Sequence, residues 1–276
     1  MSQLAISLVT YRPHWPSLGT TLESLAAAIV QAQGEGVLTD ASLTVVDNSA
    51  AETWSTALAE LLAGLAQGFP NPPRLVAGHG NIGFGAGHNR ALAEATASYV
   101  LVLNPDVDLE RHALARGLAF MEAHPTVDLL TPKAWDGTGR RQYLCRRYPS
   151  VLTLALRGFA PKTLQRRFAR RLAAYEMHDC RQDRARLDIP LTGGCFMLMR
   201  RTAFQRLGGF AEAFFLYFED YDLCLRLRAQ GGKIAYVPQV TIVHGGGGAA
   251  RKGWRHRYYF GRSAWRFYRR HGWCWM

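Results

Sequence analysis

Tyr99-Val100-Leu101-Val102-Leu103-Asn104-Pro105-Asp106-Val107-Asp108 is a short apolar run that breaks into a turn and two carboxylates. An apolar stretch of five residues without alternation is the pattern of a strand buried on both faces, as in parallel sheets covered by helices. The segment therefore predicts a central strand with a sharp polar exit. A carboxylate leaving a strand end suits a hard divalent ion that bridges a diphosphate. Asn-Pro-Asp is equally a good turn, so the segment alone leaves both readings open.

Upstream, the pattern repeats. Leu4–Val9 reads as a buried strand, and Leu18, Leu22, Leu25 and Ile29 have helical spacing within residues 18–32. Leu43–Val46 is a second strand. Residues 53–66 form a second helix, with Trp54, Leu58, Leu61, Leu62 and Leu65 turned inward. Arg74–Val76 is a third strand, and residues 86–97 a third helix leading into Tyr99. Alternating strands and helices predict a parallel sheet with helices on both faces. Ligands of such sheets sit beyond the carboxyl ends of the strands. Thr10-Tyr11-Arg12, Asp47-Asn48-Ser49 and Asn104-Pro105-Asp106 all fall at such ends, so three loops should converge on one crevice.

Downstream the order changes. Residues 112–123 read as a helix, 127–130 as a strand, 195–199 as a buried strand and 202–207 as a short helix. Residues 220–230 form a longer helix closed by Gly231-Gly232. Two strands, 234–237 and 240–243, end at His244. The stretch Phe218-Glu219-Asp220-Tyr221-Asp222-Leu223-Cys224-Leu225-Arg226 places three carboxylates in four positions. Acids suit a helix start, and Asp222 can pair with Arg226 one turn on. A carboxylate held against apolar walls can also be raised toward the range useful for proton abstraction. Asn81-Ile82-Gly83-Phe84-Gly85-Ala86-Gly87-His88-Asn89-Arg90 is a glycine-rich loop opening a helix, which allows close backbone approach and favours anions. It follows the third strand rather than the first, against a dinucleotide site. His244 is followed by Gly245-Gly246-Gly247-Gly248, which would leave its imidazole accessible as a metal or phosphate ligand.

The chain of 276 residues is 48% hydrophobic and 20% charged, which suits one α/β domain with a small appendage. No apolar run reaches the roughly 18 residues of a membrane span. The first residues carry no basic stretch of the kind that opens a signal peptide. Cys145, Cys180, Cys195, Cys224 and Cys274 are scattered without zinc or disulfide spacing, as expected of reduced thiols in the cytoplasm. The net charge of +12 is local: residues 140–186 hold 13 Lys/Arg against 3 acids, and residues 251–276 hold 8 against none. These two segments predict an anionic partner.

Seven motifs in order give the chain a resemblance to glycosyltransferase family 2, inverting enzymes of the GT-A fold, and within it to the rhamnosyltransferase-like branch. They are Ser7–Tyr11, Val45–Ser49, Asn81–Asn89, Leu103–Asp106, Thr192–Gly194, Glu219–Arg226 and Val243–Gly246. The resemblance covers residues 4–270. It implies a Rossmann-like, mostly parallel central sheet with flanking helices and a basic C-terminal helical extension. It implies a domain of residues 1–250, split into a nucleotide-sugar half (1–108) and an acceptor half (109–250) with a basic insertion near 155–186, followed by the segment 251–276. By the same resemblance Thr10, Arg12 and Asp47 hold the nucleoside, and Asn81, Gly83 and Asn89 lie against base and ribose. Asp106 matches the second acid of the Asp-x-Asp motif, whose first position is Asn104 here. Asp108 is a further candidate carboxylate, and His244 completes a site for Mg²⁺ or Mn²⁺. Asp220 is the general base with Glu219 beside it, and Gly193 and Gly194 border the acceptor. The donor favoured is a dTDP-sugar, above all dTDP-rhamnose, and the acceptor a lipid-linked glycan or polysaccharide.

Residues 161–175 place Leu164, Phe168, Leu172 and Tyr175 on one helical face and four arginines on the other. Near the C-terminus nine aromatic residues alternate with basic ones. Both patterns favour an anionic membrane surface, where each basic residue contributes on the order of 1 kcal/mol. The expectation is peripheral attachment on the cytoplasmic face of the inner membrane. Nucleic-acid binding without catalysis is the competing class, disfavoured because Asp106, Asp108, Glu219, Asp220 and Asp222 would repel phosphates. A sugar nucleotidyltransferase would want a glycine-rich basic loop after the first strand, where Thr10-Tyr11-Arg12-Pro13 stands.

Overall fold

The computed structural model describes residues 2–246 and 253–276. The chain begins with β1 (Ser2–Thr10), α1 (Trp15–Gly34), β2 (Leu38–Asp47), α2 (Glu52–Leu65), β3 (Arg74–Val76), α3 (Phe84–Leu92) and β4 (Tyr99–Leu103). It continues through β5 (Val107–Leu109), α4 (Ala113–Ala123), β6 (Val127–Trp135), β7 (Arg141–Gln142) and β8 (Cys145–Arg146). Then come α5 (Val151–Phe159), α6 (Lys162–Arg167), α7 (Ala169–Tyr175), β9 (Leu191–Thr192), β10 (Phe196–Arg200) and α8 (Arg201–Arg206). The last elements are α9 (Glu219–Ala229), β11 (Lys233–His244) and α10 (Trp254–His271).

The main sheet has the order β3-β2-β1-β4-β10-β6-β11-β5, with β7 beside β6. From β3 to β4 all pairs are parallel. β10 enters antiparallel between β4 and β6. β6 and β11 are parallel to each other, and β5 closes the edge antiparallel to β11.

β4 is buried along its whole length. Tyr99, Leu101 and Leu103 point into the core beneath α1, α2 and α4. Val100 and Val102 point into the opposite core beneath α3, α8 and α9. This is the two-sided burial that an unalternating apolar run demands, worth about 1.5–3 kcal/mol for each large side chain. A third cluster, Leu154, Tyr175, Phe214, Phe218, Phe267 and Tyr268, joins α5, α7 and α10 to the segment before α9.

Three expectations are corrected. The helix expected over 86–97 stops at Leu92. The two strands expected at 234–237 and 240–243 are one strand, β11, with a register shift after Val237. Pro238 lies in that shift, where a residue without an N–H belongs. The amphipathic helix expected over 161–175 breaks at Phe168, whose φ of −107° and ψ of 22° separate α6 from α7. Only Tyr175 of its apolar stripe is buried, and Leu164 is 41% exposed. The short β5, just after the Asn-Pro-Asp turn, was not foreseen: three residues carry too little periodicity to be read. Gly247 and Gly248 lie outside the described residues.

Candidate active site

The carboxyl ends of β1, β2 and β4 bring the three polar clusters together as expected. Thr10 ends β1, and its hydroxyl lies 3.4 Å from Asp47 Oδ1. The same oxygen accepts the Ser49 N–H at 2.8 Å. Arg12 adopts a left-handed φ of 49°, and its N–H donates to Ser49 Oγ at 2.8 Å. Asp47 Oδ2 and Asn48 Oδ1 are buried acceptors without a hydrogen-bond partner. Buried acceptors normally find donors, so these two fit a ligand that brings N–H or O–H groups.

The glycine-rich loop closes over the end of β2. Asn48 Nδ2 donates to the Gly83 carbonyl at 3.0 Å, and the Gly83 N–H donates to Asn81 Oδ1 at 3.0 Å. Gly83 has a φ of +93°, and a Cβ there would stand 2.5 Å from the Phe215 carbonyl oxygen. The next N–H, of Phe84, donates to that carbonyl at 3.0 Å. Only glycine fits this approach. His88 is fully buried, 2.7 Å from Ser7 Oγ, and burial pushes its pKa down to about 3. It is a neutral core histidine. Asn89 differs from expectation. Its amide donates to the Phe210 carbonyl at 2.9 Å and accepts the Phe210 N–H at 2.8 Å. Both ends of the side chain are thus spent clasping α3 to a loop 121 residues away, not turned to a base or ribose.

A second corner forms where β4, β7 and β11 end. His244 Nε2 lies 3.4 Å from Asp106 Oδ1 and 3.4 Å from Asn104 Nδ2. Asn104 Oδ1 is buried without a partner. The His244 ring is fixed from behind by Gln142, whose Oε1 is 2.9 Å from Nδ1. With Nδ1 bonded to Gln142, Nε2 is the ring atom that faces the Asp106 carboxylate. One carboxylate, one imidazole and an amide oxygen fit a divalent ion that takes its remaining ligands from phosphate and water. Among the described residues no set of three His, Cys, Asp or Glu gathers to hold a metal. Asp108 is not brought in: it lies exposed in β5 between buried Val107 and Leu109, and alternation sends its side chain away.

The third part is the start of α9. Tyr217 and Phe218 precede it with φ of 70° and 68°. Two such residues cost on the order of 1–3 kcal/mol each and persist only where the surroundings over-determine them. Here α10 does so. Tyr217 Oη bonds His256 Nδ1 at 2.9 Å, and Ser263 Oγ donates to the Leu216 carbonyl at 2.8 Å. The Phe218 ring packs 5.2 Å from Phe260 and 5.1 Å from Phe267, centroid to centroid. Asp222 has no exposed surface. It accepts from Arg226 at 2.7 Å, as expected, and also from His271 at 2.8 Å and Arg270 at 3.0 Å on α10.

Asp220 is thereby presented in a fixed pose. Its Oδ2 accepts the Gly194 N–H at 2.9 Å, and its Oδ1 accepts the Tyr221 N–H at 2.8 Å. Burial pushes its carboxyl up to about 6, against those hydrogen bonds and the nearby charge of Arg146. Glu219 is driven well above the usual carboxylate range, first by burial and then by the charge on Asp220. The two carboxyls are thus driven unequally: Asp220 comes into the range useful to a general base, and Glu219 is pushed the more strongly toward its neutral form.

Gly194 and Cys195 join this pair to the corner of Asn104, Asp106 and His244. The Asn104 N–H donates to the Cys195 carbonyl at 2.9 Å. Burial, then the charges of Asp106 and Asp220, raise the Cys195 thiol to about 12. A Cβ at Gly194 would lie 3.3 Å from the Asp220 Cβ, whereas one at Gly193 would meet only Leu144, at 3.9 Å. Gln142 and Arg146 were missed from sequence. Both lie in two-residue strands whose partners are far along the chain, and no local pattern marks them.

The basic segments divide. Phe267 and Tyr268 of α10 pack inside, while Trp254, Tyr258, Trp265, Trp273, Trp275, Phe159 and Leu164 are exposed. The carbonyls of Cys274 and Trp275 accept from Val151 N and Leu152 N at the start of α5, which fastens the C-terminus beside the basic helices. Among the described residues no helix is long and apolar enough to cross a membrane.

Residues 15–273 match the model of the family described as Glycosyltransferase like family 2. An N-acetylglucosaminyl-diphospho-decaprenol L-rhamnosyltransferase of Mycobacterium tuberculosis is 27% identical over 252 residues, 87% of this chain and 75% of that protein. Rhamnosyltransferase WbbL of Escherichia coli K12 is 29% identical over 174 residues, 58% of this chain and 61% of that protein. Among solved structures, GalNAc-T7 with UDP, GalNAc and Mn²⁺ superposes with a TM-score of 0.60 at 14% identity, over 88% of this chain and 43% of that one. A mannosyltransferase of Pyrobaculum calidifontis in complex with GDP-Man and Mn²⁺ superposes with a TM-score of 0.58 at 18% identity, over 88% of this chain and 56% of that one. The chain thus spans about half the length of these structures, and the likeness shows the GT-A fold.

Proposed function

The chain belongs to glycosyltransferase family 2 and is a glycosyltransferase of glycan synthesis, and we propose that it moves rhamnose from dTDP-rhamnose to a hydroxyl of a lipid-linked or polysaccharide acceptor, inverting the anomeric carbon. The observation that carries the reading is the pose of Asp220: a carboxylate with a pKa of about 6, held by two backbone N–H groups beside the strand ends that would bind the donor.

The donor half would be residues 1–108, with Thr10, Arg12, Asp47, Asn81 and Gly83 around the nucleoside. The acceptor half would be residues 109–250, with Gly193 and Gly194 beside the acceptor. Asp106 and His244, with Asn104 alongside, would hold Mg²⁺ or Mn²⁺, whose charge when bound would offset that of the departing diphosphate. Asp220 takes the proton of the acceptor hydroxyl, which its pKa allows near neutral pH. Burial and the charge on Asp220 favour the neutral form of Glu219, which limits the negative charge beside the attacking oxygen. One base suffices for inversion, because a single in-line displacement forms no glycosyl-enzyme intermediate. Calorimetry with dTDP, UDP and GDP, with and without Mn²⁺, tests the reading. Metal-dependent binding of dTDP that is lost in Asp106→Ala supports it; absence of binding by any nucleotide removes it.

The relatives named for rhamnose transfer support the sugar, and the one named for a diphospho-decaprenol substrate supports a lipid-linked acceptor. A peripheral site on the cytoplasmic membrane face follows, with the exposed rings of α10 and its tail in the headgroup zone beside the arginines of α6 and α7. Flotation with anionic liposomes tests this: binding lost in a Trp254→Ala, Trp265→Ala, Trp275→Ala triple variant supports it, and a wild type that stays with the soluble fraction sinks it.

A further inference from the structure

Gln142 is the one side chain of β7 that reaches the metal corner, and it is fully committed there. Its Nε2 donates to the His244 carbonyl at 2.8 Å and to the Gly246 carbonyl at 3.0 Å. Turning the amide over would set its oxygen against two carbonyl oxygens, so Oε1 must face the ring. Oε1 can only accept, so His244 Nδ1 carries the hydrogen across the 2.9 Å contact. The lone pair of the neutral ring is then on Nε2, the atom 3.4 Å from Asp106.

We infer that Gln142 is a positioning residue that locks His244 in its Nδ1–H tautomer, aims Nε2 as a cation ligand, and pins the start of the glycine loop to the sheet. The inference rests on the metal assignment above. Its logic is that of the outer hydrogen bonds that orient metal-bound histidines, whose loss costs 10–100-fold in metal affinity. Gln142 itself is well supported: neighbouring Arg141 donates to the Cys180 carbonyl at 3.0 Å, and Gln142 pairs with Ala134 of β6.

Two measurements on the full chain test the inference. The first is ¹⁵N NMR of the His244 ring without metal, at a pH where the ring is neutral. The second is Mn²⁺ affinity by electron paramagnetic resonance in the presence of dTDP. The wild type should show the Nδ1–H form. Gln142→Leu should move the ring toward Nε2–H and weaken Mn²⁺ by 10–100-fold. Gln142→Glu keeps an acceptor for Nδ1–H but loses the donor to the His244 and Gly246 carbonyls. It should therefore retain the tautomer while releasing that anchor. Circular dichroism with thermal melting of both variants separates positioning from simple loss of fold. A wild-type ring protonated on Nε2, or unchanged Mn²⁺ affinity in Gln142→Leu, overturns the inference. A wild type that binds no Mn²⁺ overturns the metal assignment instead, and the tautomer then decides the role of Gln142 alone.

Discussion

The two halves of the site are built by different rules. At the ends of β1 and β2 the polar residues hold one another directly, side by side on paired strands: Asp47 is bonded by Ser49 two residues on and by Thr10 on the adjacent strand. At the start of α9 most of the support comes from other elements, α10 above all. Asp220 leans on Gly194, the turn before it leans on His256 and Ser263, and Asp222 leans on Arg270 and His271. The first half is a set of separable loops. The second is a clamp in which α10 holds a strained turn, and it should fail as a unit.

The sharpest break of this contrast is Asp220→Asn. Loss of a general base costs on the order of 10²–10⁴-fold in kcat, with dTDP affinity unchanged. The wild-type pH profile should agree: kcat/KM rises as Asp220 loses its proton near pH 6 and levels above it. Stability runs the other way. A carboxyl whose folded pKa is raised stabilises the fold fully below its unfolded value, and that contribution is lost as pH rises through about 6. The Asn variant should therefore melt higher than wild type at pH 8 and not at pH 4, read by calorimetry. A lower midpoint at pH 8 would mean that Asp220 is a structural acid.

Asp222→Ala should come next, and here the two halves part. Removing one partner of a buried ion pair costs about 3–5 kcal/mol, and Asp222 faces Arg226, Arg270 and His271 with no exposed surface. Denaturant unfolding should show that loss, and turnover should fall with it, because the turn before Asp220 loses its clamp. Retained turnover in a protein destabilised by this amount would separate α10 from the base. Gly83→Ala tests the contact between the halves. Its Cβ would strike the Phe215 carbonyl in a left-handed backbone, a strain of about 1–3 kcal/mol. Both dTDP affinity and kcat should drop, where a change confined to one half would move only one of them.

The same contrast explains what could be read from the sequence. β4 was legible because two-sided burial leaves an apolar run, and the strand-end clusters were legible because they follow such runs directly. Asp222–Arg226 was legible because one helical turn separates them. Its other partners, 48 and 49 residues on, leave no local trace, and Gln142 sits in a strand of two residues. The family resemblance places Asn89 against the ligand, and nothing nearby in the sequence betrays that Phe210 takes both ends of its amide. The aromatic rhythm of 254–275 reads as a surface, yet Phe267 is wholly buried. A helix that clamps with one face and shows rings on the other carries both patterns at once.

Thr10→Val should have the smallest effect, and it probes the separable half. The hydroxyl makes one long contact, 3.4 Å to an Asp47 oxygen already bonded to Ser49. Valine keeps the volume and the branched strand preference, so the fold should lose about 1 kcal/mol at most. Asp47 then has one donor fewer on its inner oxygen, and its unpartnered Oδ2 still faces the place where a nucleoside would bring its own. The expected result is a few-fold rise in KM for the donor with kcat unchanged. A fall in kcat would show that the end of β1 reports to Asp220, and the two halves would then be one.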